Sequence, residues 1–170
     1  MTSPSSAFTI HLATPHDAAV LGALRAELFS ELGRLSASGH PAFERAAAEA
    51  LAGAIERGDC FAWLAESAPG HPIGSVAMLV YPRLPSPDSP ALREGYLLNV
   101  YTVPDWRGRG IAAALVAAAI AKARQQGLGR IRLHATAAGQ RVYAAAGFIL
   151  RDDEMELLLH ADFDRRQHEE

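Results

Sequence analysis

The chain contains a single cysteine, Cys60, among 170 residues. One cysteine cannot form an internal disulfide, and disulfides are typical of secreted proteins. We therefore expect the protein to fold without covalent cross-links and to work in the reducing cytoplasm. The seven histidines are scattered without the spacing of metal ligands, so the sequence also predicts no metal site.

Long apolar runs and an excess of positive charge are missing as well. The longest apolar run, residues 111–121, is too short to cross a bilayer, and the first residues have neither the basic start nor the apolar core of a signal peptide. The formal net charge is −3, and no basic stripe interleaved with aromatic residues occurs. These absences argue against membrane and nucleic-acid partners and predict a soluble protein.

The length of the chain fits one compact domain. A chain of 170 residues can bury roughly two thirds of its unfolded surface, which is enough for a core of its own. We expect a single domain over residues 1–170, with frayed ends at 1–6 and 162–170.

The pattern of apolar residues predicts an α/β protein with about seven strands and four helices. Proline and glycine mark most of the boundaries, and Thr14 followed by Pro15 is a typical helix start. The predicted strands cover residues 8–13, 60–66, 73–80, 96–103, 130–134, 148–151 and 154–159, and the predicted helices cover 14–32, 41–57, 111–124 and 139–146.

The most informative segment joins the strand at 96–103 to the alanine-rich helix at 111–124. Gly108 and Gly110 in the turn let a ligand approach the backbone, and the first amides of the helix lack partners and carry partial positive charge. Arg107 and Arg109 add forked donors that suit phosphate oxygens. This turn is therefore a candidate phosphate-binding site, although two glycines can also serve an ordinary turn.

With a further strand at 130–134 and a short helix ending at Gly147 and Phe148, this segment resembles the GNAT superfamily of acetyl-CoA-dependent N-acetyltransferases. Their pyrophosphate signature is Gln or Arg, two residues, Gly, one residue, then Gly or Ala, which Arg107, Gly110 and Ala112 match. The resemblance covers residues 96–159. It implies a mixed, largely antiparallel twisted sheet whose central parallel strands splay apart.

The resemblance also implies that acetyl-CoA is the acyl donor. The family places the pantetheine arm against the backbone of the strand and the diphosphate against the turn and the helix start. The matching positions are Tyr101, Thr102 and Val103 for the first group, and Arg107, Gly108, Arg109, Gly110, Ile111, Ala112 and Ala113 for the second.

The implied chemistry is direct attack of a neutral amine on a thioester through a tetrahedral intermediate. In the family, a tyrosine four residues before a Gly-Phe pair lies beside the cofactor sulfur, and Tyr143 has this spacing. A phenol is protonated at neutral pH, so Tyr143 is the candidate general acid for the departing thiolate; a core-packing role is the alternative. The signature strand has no carboxylate at residues 96–100, which leaves the general base vacant. Asn99 could position a water, and His134 is either a proton relay or a structural histidine.

The acceptor is predicted to be a small primary amine. Glu27 and Glu31 share one helix face and could attract a cationic amine, although a solvated surface explains them equally well. Thr136 stands where ribosomal-protein acetyltransferases commonly have Asn, which argues against a protein N-terminus as acceptor. The apolar strand predicted at 154–159 leaves room for a homodimer.

Two other functions remain open from the sequence. Gly108, Gly110 and Ala113 also fit the GxGxxG/A fingerprint of a Rossmann oxidoreductase, although no acidic residue occurs near 130–136, where that fold requires one. The chain could also be a catalytically silent sensor that retains an acyl-CoA pocket.

Overall fold

The computed structural model describes residues 8–151 and Met155. These residues form a five-stranded sheet with helices on both faces. The strands are β1 (Thr9–Leu12), β2 (Cys60–Ala68), β3 (His71–Pro82), β4 (Arg93–Thr102) and β5 (Ile131–Arg132), and the helices are α1 (Ala18–Glu31), α2 (His40–Glu56), α3 (Ile111–Gln125) and α4 (Gln140–Ala145). Single 3-10 turns precede α1 at Pro15–Asp17 and α3 at Pro104–Trp106.

The strands lie in the order β1-β2-β3-β4-β5. The first four are antiparallel neighbours, and β5 pairs parallel to β4 through Gly95 with Ile131 and Tyr96 with Arg132. Helix α3 connects this parallel pair. The mixed, largely antiparallel sheet confirms the predicted fold class, and it excludes the doubly wound parallel sheet of a Rossmann oxidoreductase.

Two predicted strands need correction. The strand expected at 130–134 pairs with β4 only at Ile131–Arg132, and the β-bulge of β4 begins at Asn99, three residues after the last paired residue, Tyr96. Residues 148–151 form no strand, and Ile149 and Leu150 are exposed, because a short apolar run forms a strand only where a neighbouring strand pairs with it and within 8–151 none pairs with these residues. The strand predicted at 154–159 falls outside the described residues except for Met155, and so do the predicted frayed ends at 1–6 and 162–170.

The larger core lies between the sheet and α3. Leu115, Val116 and Ala119 of α3 are fully buried against Met78 and Leu97 of the sheet. Helix α3 can approach closely because β3 has Gly74 here, where a Cβ would lie 3.1 Å from Cγ2 of Ile111 and 3.4 Å from Cδ1 of Leu115. This packing fixes where α3 begins relative to the end of β4.

The second core lies on the opposite face, beneath α1 and α2. Leu21 and Leu24 of α1 and Leu51 of α2 are buried against Leu64 and neighbouring residues of the sheet. The two helices cross closely at Gly22, where a Cβ would lie 2.7 Å from the carbonyl oxygen of Glu44. Helix α1 therefore lies over β4 with a fixed spacing to α2.

The predicted start of the first helix is confirmed. The Asp17 carboxylate accepts hydrogen bonds from the Thr14 amide at 2.7 Å and from the Thr14 hydroxyl at 2.9 Å, and the Asp17 amide donates to the Thr14 carbonyl at 3.0 Å. The bond from the Thr14 amide to the Asp17 side chain is the one that a capping box places at this position. The backbone hydrogen bond from Thr14 lowers the pKa of Asp17.

None of the helices within 8–151 combines the length and the apolar character that a membrane span requires.

Candidate active site

Strand β4 carries a β-bulge immediately before the predicted cofactor positions. Ser75 of β3 pairs with Tyr101 and Ala77 pairs with Leu98, so Asn99 and Val100 lie together opposite one residue of β3. Asn99 has φ = 55°, a left-handed conformation that Asn adopts more readily than other residues with a Cβ. The bulge and the short β4-β5 pairing agree with the splayed central strands that the resemblance implies.

Asn99 is buried and bound to helix α1. Its Oδ1 accepts a hydrogen bond from Nη1 of Arg25, and its backbone carbonyl accepts one from the Ser75 hydroxyl at 3.2 Å. Its Nδ2 is buried without a hydrogen-bond partner among the described residues. Arg25 therefore occupies the side-chain oxygen of Asn99, the residue that the sequence predicts could position a water.

The turn before α3 is open and rich in unused amides. Gly108 and Gly110 have φ of 75° and 80°, and a Cβ at either would meet no atom within 4 Å. In the described part of the chain, no protein group accepts a hydrogen bond from the amides of residues 108–113, and the first α3 amide with a partner is that of Ala114. This N-terminus therefore offers several donors and the positive end of a helix dipole to an anion.

Arg107 joins this turn to β4 and α1. Its Nε donates to the Thr102 carbonyl at 2.9 Å, and its Nη2 donates to Oε2 of Glu31 at 2.5 Å. The Tyr101 hydroxyl donates to the other oxygen of the same carboxylate at 2.6 Å. The side chain predicted to bind phosphate thus has two nitrogens engaged within the protein, which pins the turn to β4.

These contacts change the pKa of the Glu31 carboxyl group. The hydrogen bond from Tyr101 lowers the pKa of Glu31, burial opposes that shift, and Arg107 adds to it. Burial, with a further contribution from Glu31, raises the pKa of Tyr101. Glu31 is therefore ionised at neutral pH and already partnered, which removes it as a free attractor for a cationic amine.

The remaining predicted cofactor positions divide between the surface and the core. Arg109 donates to the Asp105 carbonyl at 3.3 Å and stacks over Trp106, with its guanidinium carbon 4.6 Å from the ring centroid. The Val103 amide donates to the Ile73 carbonyl of β3 at 3.0 Å, so it is not available to a ligand. At the start of α3, Ile111 is buried in the larger core. The next two residues, Ala112 and Ala113, have small side chains.

Thr102 has one polar group that is hydrogen-bonded within the described residues and one that is not. Its carbonyl accepts from Arg107, whereas its hydroxyl is buried without a hydrogen-bond partner among the described residues. An orphaned hydroxyl beside unused amides fits a polar ligand that follows the end of β4.

Tyr143 lies on α4, which packs against α3. Its ring makes an edge contact with Phe148 at 5.9 Å between centroids, and it packs on the larger core. Burial raises the pKa of Tyr143 above 10.0, so the phenol is neutral at physiological pH. Within 8–151, no protein group is hydrogen-bonded to its hydroxyl, which leaves the proton available to a ligand.

The ionisable groups near β4 do not supply an evident base. Glu94 is 3% exposed and accepts from the Tyr81 hydroxyl at 2.7 Å and from Nε of Arg130. Burial raises the pKa of Glu94, but these hydrogen bonds outweigh it and leave the pKa below its usual value. His134 is hydrogen-bonded through Nδ1 to the Tyr96 hydroxyl, which agrees with the structural alternative. Burial raises the pKa of the Cys60 thiol to about 11, which makes it a poor nucleophile.

Comparisons with known proteins agree with this geometry. The sequence profile of the acetyltransferase (GNAT) family matches residues 24–148. A search of curated protein sequences found no match.

Several solved structures named as acetyltransferases share this fold. A GCN5-related N-acetyltransferase from Ralstonia eutropha JMP134 has a TM-score of 0.77 and 28% identity, covering 89% of this chain and 98% of that one. A protein from Clostridium acetobutylicum described as a predicted acetyltransferase, solved with acetyl-CoA, has a TM-score of 0.80 and 24% identity, covering 89% of this chain and 96% of that one. A ribosomal-protein-alanine N-acetyltransferase from Brucella melitensis shares the fold at a TM-score of 0.61 and 22% identity, covering 90% and 98% of the two chains.

The family match over residues 24–148, on this mixed sheet with a bulged fourth strand, identifies the chain as an acyltransferase. The chain belongs to the GNAT acetyltransferase family, whose acyl donor is acetyl-CoA.

Arg25 is the residue of this region that the sequence did not indicate. It lies on the inward side of α1, next to Leu24 and in contact with Asn99, 74 residues along the chain. The only local sign of it is that this charged residue lies four residues after Leu21 and three residues before Leu28 on the same helix. Such a residue is more often a surface arginine, and only the fold brings it to β4.

Proposed function

We propose that this chain transfers the acetyl group of acetyl-CoA to a primary amine of a small molecule. The observation that carries the proposal is the set of unused amides over residues 108–113 beside an open turn. A helix N-terminus of this kind suits the diphosphate of coenzyme A. Gly108 and Gly110 permit close approach, and Arg107 holds the turn against β4.

The thioester would lie along β4 between the bulge and the turn. The strand is free of β5 beyond Tyr96, and the Thr102 hydroxyl lacks a partner in the described residues. An extended pantetheine arm could therefore follow residues 99–102 in place of a neighbouring strand. Backbone donors of this strand would face the oxyanion that develops on the carbonyl carbon.

The reaction would proceed by direct attack of the neutral amine on the thioester carbonyl. The C–N bond forms, the carbonyl electrons move to oxygen, and collapse of the tetrahedral intermediate breaks the C–S bond. Tyr143 would donate its proton to the departing thiolate, since burial keeps this phenol protonated and its hydroxyl is unused within 8–151. The buried, high-pKa thiol of Cys60 argues against an acyl-cysteine intermediate.

The acceptor class is argued from position 136. Thr136 departs from the Asn that is common in ribosomal-protein acetyltransferases, which favours a small molecule over a protein N-terminus. The likeness to the Brucella ribosomal-protein enzyme lies at 22% identity and concerns the fold.

The test has two parts. Calorimetry with acetyl-CoA is expected to show binding, and thiol release with a panel of small primary amines is expected to show turnover. Absence of binding would overturn the assignment of the site. Binding without turnover on any amine or peptide would instead identify a silent acyl-CoA sensor, and turnover on peptides alone would overturn the small-molecule acceptor.

A further inference from the structure

The α1 side of β4 carries two arginines that have no counter-charge among the described residues. The guanidinium carbons of Arg25 and Arg34 lie 4.8 Å and 5.1 Å from the centroid of the Phe29 ring, and Arg25 is also 6.0 Å from that of Phe43. Within residues 8–151, neither arginine has a carboxylate within 4.0 Å. Two like charges therefore share one aromatic ring.

The carboxylates of the same helices are engaged elsewhere. Glu27 and Glu44 flank His40, with Nε2 at 3.2 Å from Glu27 and Nδ1 at 3.6 Å from Glu44. Glu31 is held by Tyr101 and Arg107. The positive charge beside β4 is thus not neutralised by the acidic residues that surround it in sequence.

This arrangement costs free energy in the absence of an anion. Burial lowers the pKa of Arg25, and the neighbouring charge of Arg34 lowers it further. A half-buried cation beside a like charge is unfavourable unless an anion compensates it. Stacking on Phe29 and Phe43 orients the guanidinium but does not neutralise it.

Asn99 completes a group of donors. Its Oδ1 is used by Arg25, and its buried Nδ2 has no acceptor among the described residues. What remains unsatisfied here is a set of N–H groups, since the adjacent oxygens are occupied. Such a set suits an acceptor of hydrogen bonds that carries negative charge.

The group lies next to the proposed reacting centre. Asn99 sits at the bulge, beyond the last residue of β4 that pairs with β5 and two residues before Tyr101. Two strand residues span about 6 to 7 Å, so Arg25 stands within the length of a small molecule from a thioester on residues 99–102.

We propose that Arg25, supported by Asn99 and Arg34, binds a carboxylate carried by the acceptor amine, so that the substrate is an amino carboxylate. This inference rests on the proposed acetyl transfer. It assigns a specificity-determining role to Arg25, and it reverses the expectation that acidic residues of α1 attract a cationic amine.

The first experiment uses the unmodified protein. Each acceptor is tested in three forms that share one carbon skeleton: the amino acid, its amide and the amine that lacks the carboxylate. Acetyl-CoA is saturating, and thiol release measures turnover. We expect kcat/KM for the amino acid to exceed that for the amide and the amine by about tenfold or more. Equal or lower values for the amino acids would overturn the inference, and so would preference for a phosphate-bearing amine such as phosphoethanolamine.

The second experiment removes the cation. Arg25→Gln is expected to lower kcat/KM for the amino acid by about 10- to 100-fold, mainly through KM, and to change that for the amide by less than about threefold. Arg25→Lys should retain part of the preference, and Arg45→Gln, at an exposed position on α2, should retain all of it. Equal losses on acid and amide would contradict a carboxylate contact.

The two proposals fail in distinguishable ways. If the wild-type protein does not bind acetyl-CoA by calorimetry, the proposed function falls and this inference with it. If it binds and transfers without regard to the carboxylate, only this inference falls. Should Arg25→Gln have a strongly lowered melting temperature, Arg34→Gln and the wild-type acceptor panel decide the question.

Discussion

The face of strand β4 that packs on α3 is apolar, whereas the face toward α1 holds buried polar residues in specific pairs. On the first face, Leu97 meets the fully buried Leu115 and Val116. On the second, Asn99 is bound to Arg25 and the Tyr101 hydroxyl to a carboxylate of α1. The apolar face positions the start of α3, and the polar face offers the groups that can discriminate among substrates. Stability and specificity are thus assigned to opposite sides of one strand.

The largest effect is expected on the α3 side, from removal of one hydroxyl. Tyr143→Phe should lower kcat by about two to four orders of magnitude, because the departing thiolate loses its proton donor. Since no described residue bonds to that hydroxyl, the melting temperature and the calorimetric affinity for acetyl-CoA should stay unchanged. Burial raises the pKa of Tyr143 above 10.0, so kcat should not decline from ionisation of this phenol below pH 10. An unchanged kcat would remove the acid role.

The apolar character of the α3 face is tested by opening a cavity in it. Leu115 has no exposed surface, and Leu115→Ala should lower the free energy of unfolding by about 2 to 5 kcal/mol. The matched control is Leu84→Ala, at a side chain that is 86% exposed, with an expected change within about 0.5 kcal/mol. Denaturant unfolding measures both, and similar losses would contradict the assignment of the core.

The open turn can be tested against the other end of the same helix. Gly110→Val should weaken acetyl-CoA binding by about 10- to 100-fold, because a branched Cβ is strained at φ = 80° and stands beside the unused amides. Gly127→Val is the control, since Gly127 has φ = 65° and equally open surroundings. Both variants should lose about 1 to 2 kcal/mol of stability. Equal calorimetric affinities for acetyl-CoA would show that the turn does not bind it.

On the polar face, a single hydrogen bond should contribute less. Tyr101→Phe removes the donor to Glu31 and should lower the free energy of unfolding by about 0.5 to 1.5 kcal/mol, because the carboxylate keeps its contact with Arg107. Denaturant unfolding at neutral pH measures it. A loss as large as that of Leu115→Ala would erase the distinction between the two faces.

The smallest effect concerns the pH dependence of that carboxylate. The pKa of Glu31 is lowered in the folded state from 4.5, so its contribution to stability is fully present above pH 4.5 and is lost as the pH falls through the folded value. The difference in melting temperature between the wild-type protein and Glu31→Gln should therefore shrink as the pH is lowered from 7 to below 4.5. A difference that grows on acidification would contradict this sign.

The features read correctly from the sequence are local ones. The strand, the two-glycine turn and α3 follow each other within about thirty residues, and each leaves a periodicity or a glycine that can be recognised. The parallel pairing of β4 and β5 can be predicted from this order of elements. A helix between two strands is the usual connection of parallel neighbours in a sheet. Residues 148–151 show the limit of the approach, since a short apolar run does not indicate whether a neighbouring strand lies beside it.

The polar pairs could not be read in this way. Arg25 and Asn99 are 74 residues apart, and Arg107 and Glu31 are 76 apart. Each pair depends on how α1 lies across the sheet, which no short sequence pattern encodes. For the same reason, the sequence does not indicate that Tyr101 and Arg107 bind Glu31.

The absence of a Cβ at Gly22 has a consequence for substrate choice. Because an added Cβ would collide with the backbone of Glu44, alanine at position 22 would push α2 outward and carry Phe43 away from the guanidinium that it flanks. A change remote from every reacting atom could therefore widen the acceptor side of the cleft. Evolution or engineering could retune this enzyme through the spacing of two helices while its machinery for the acyl donor stays intact.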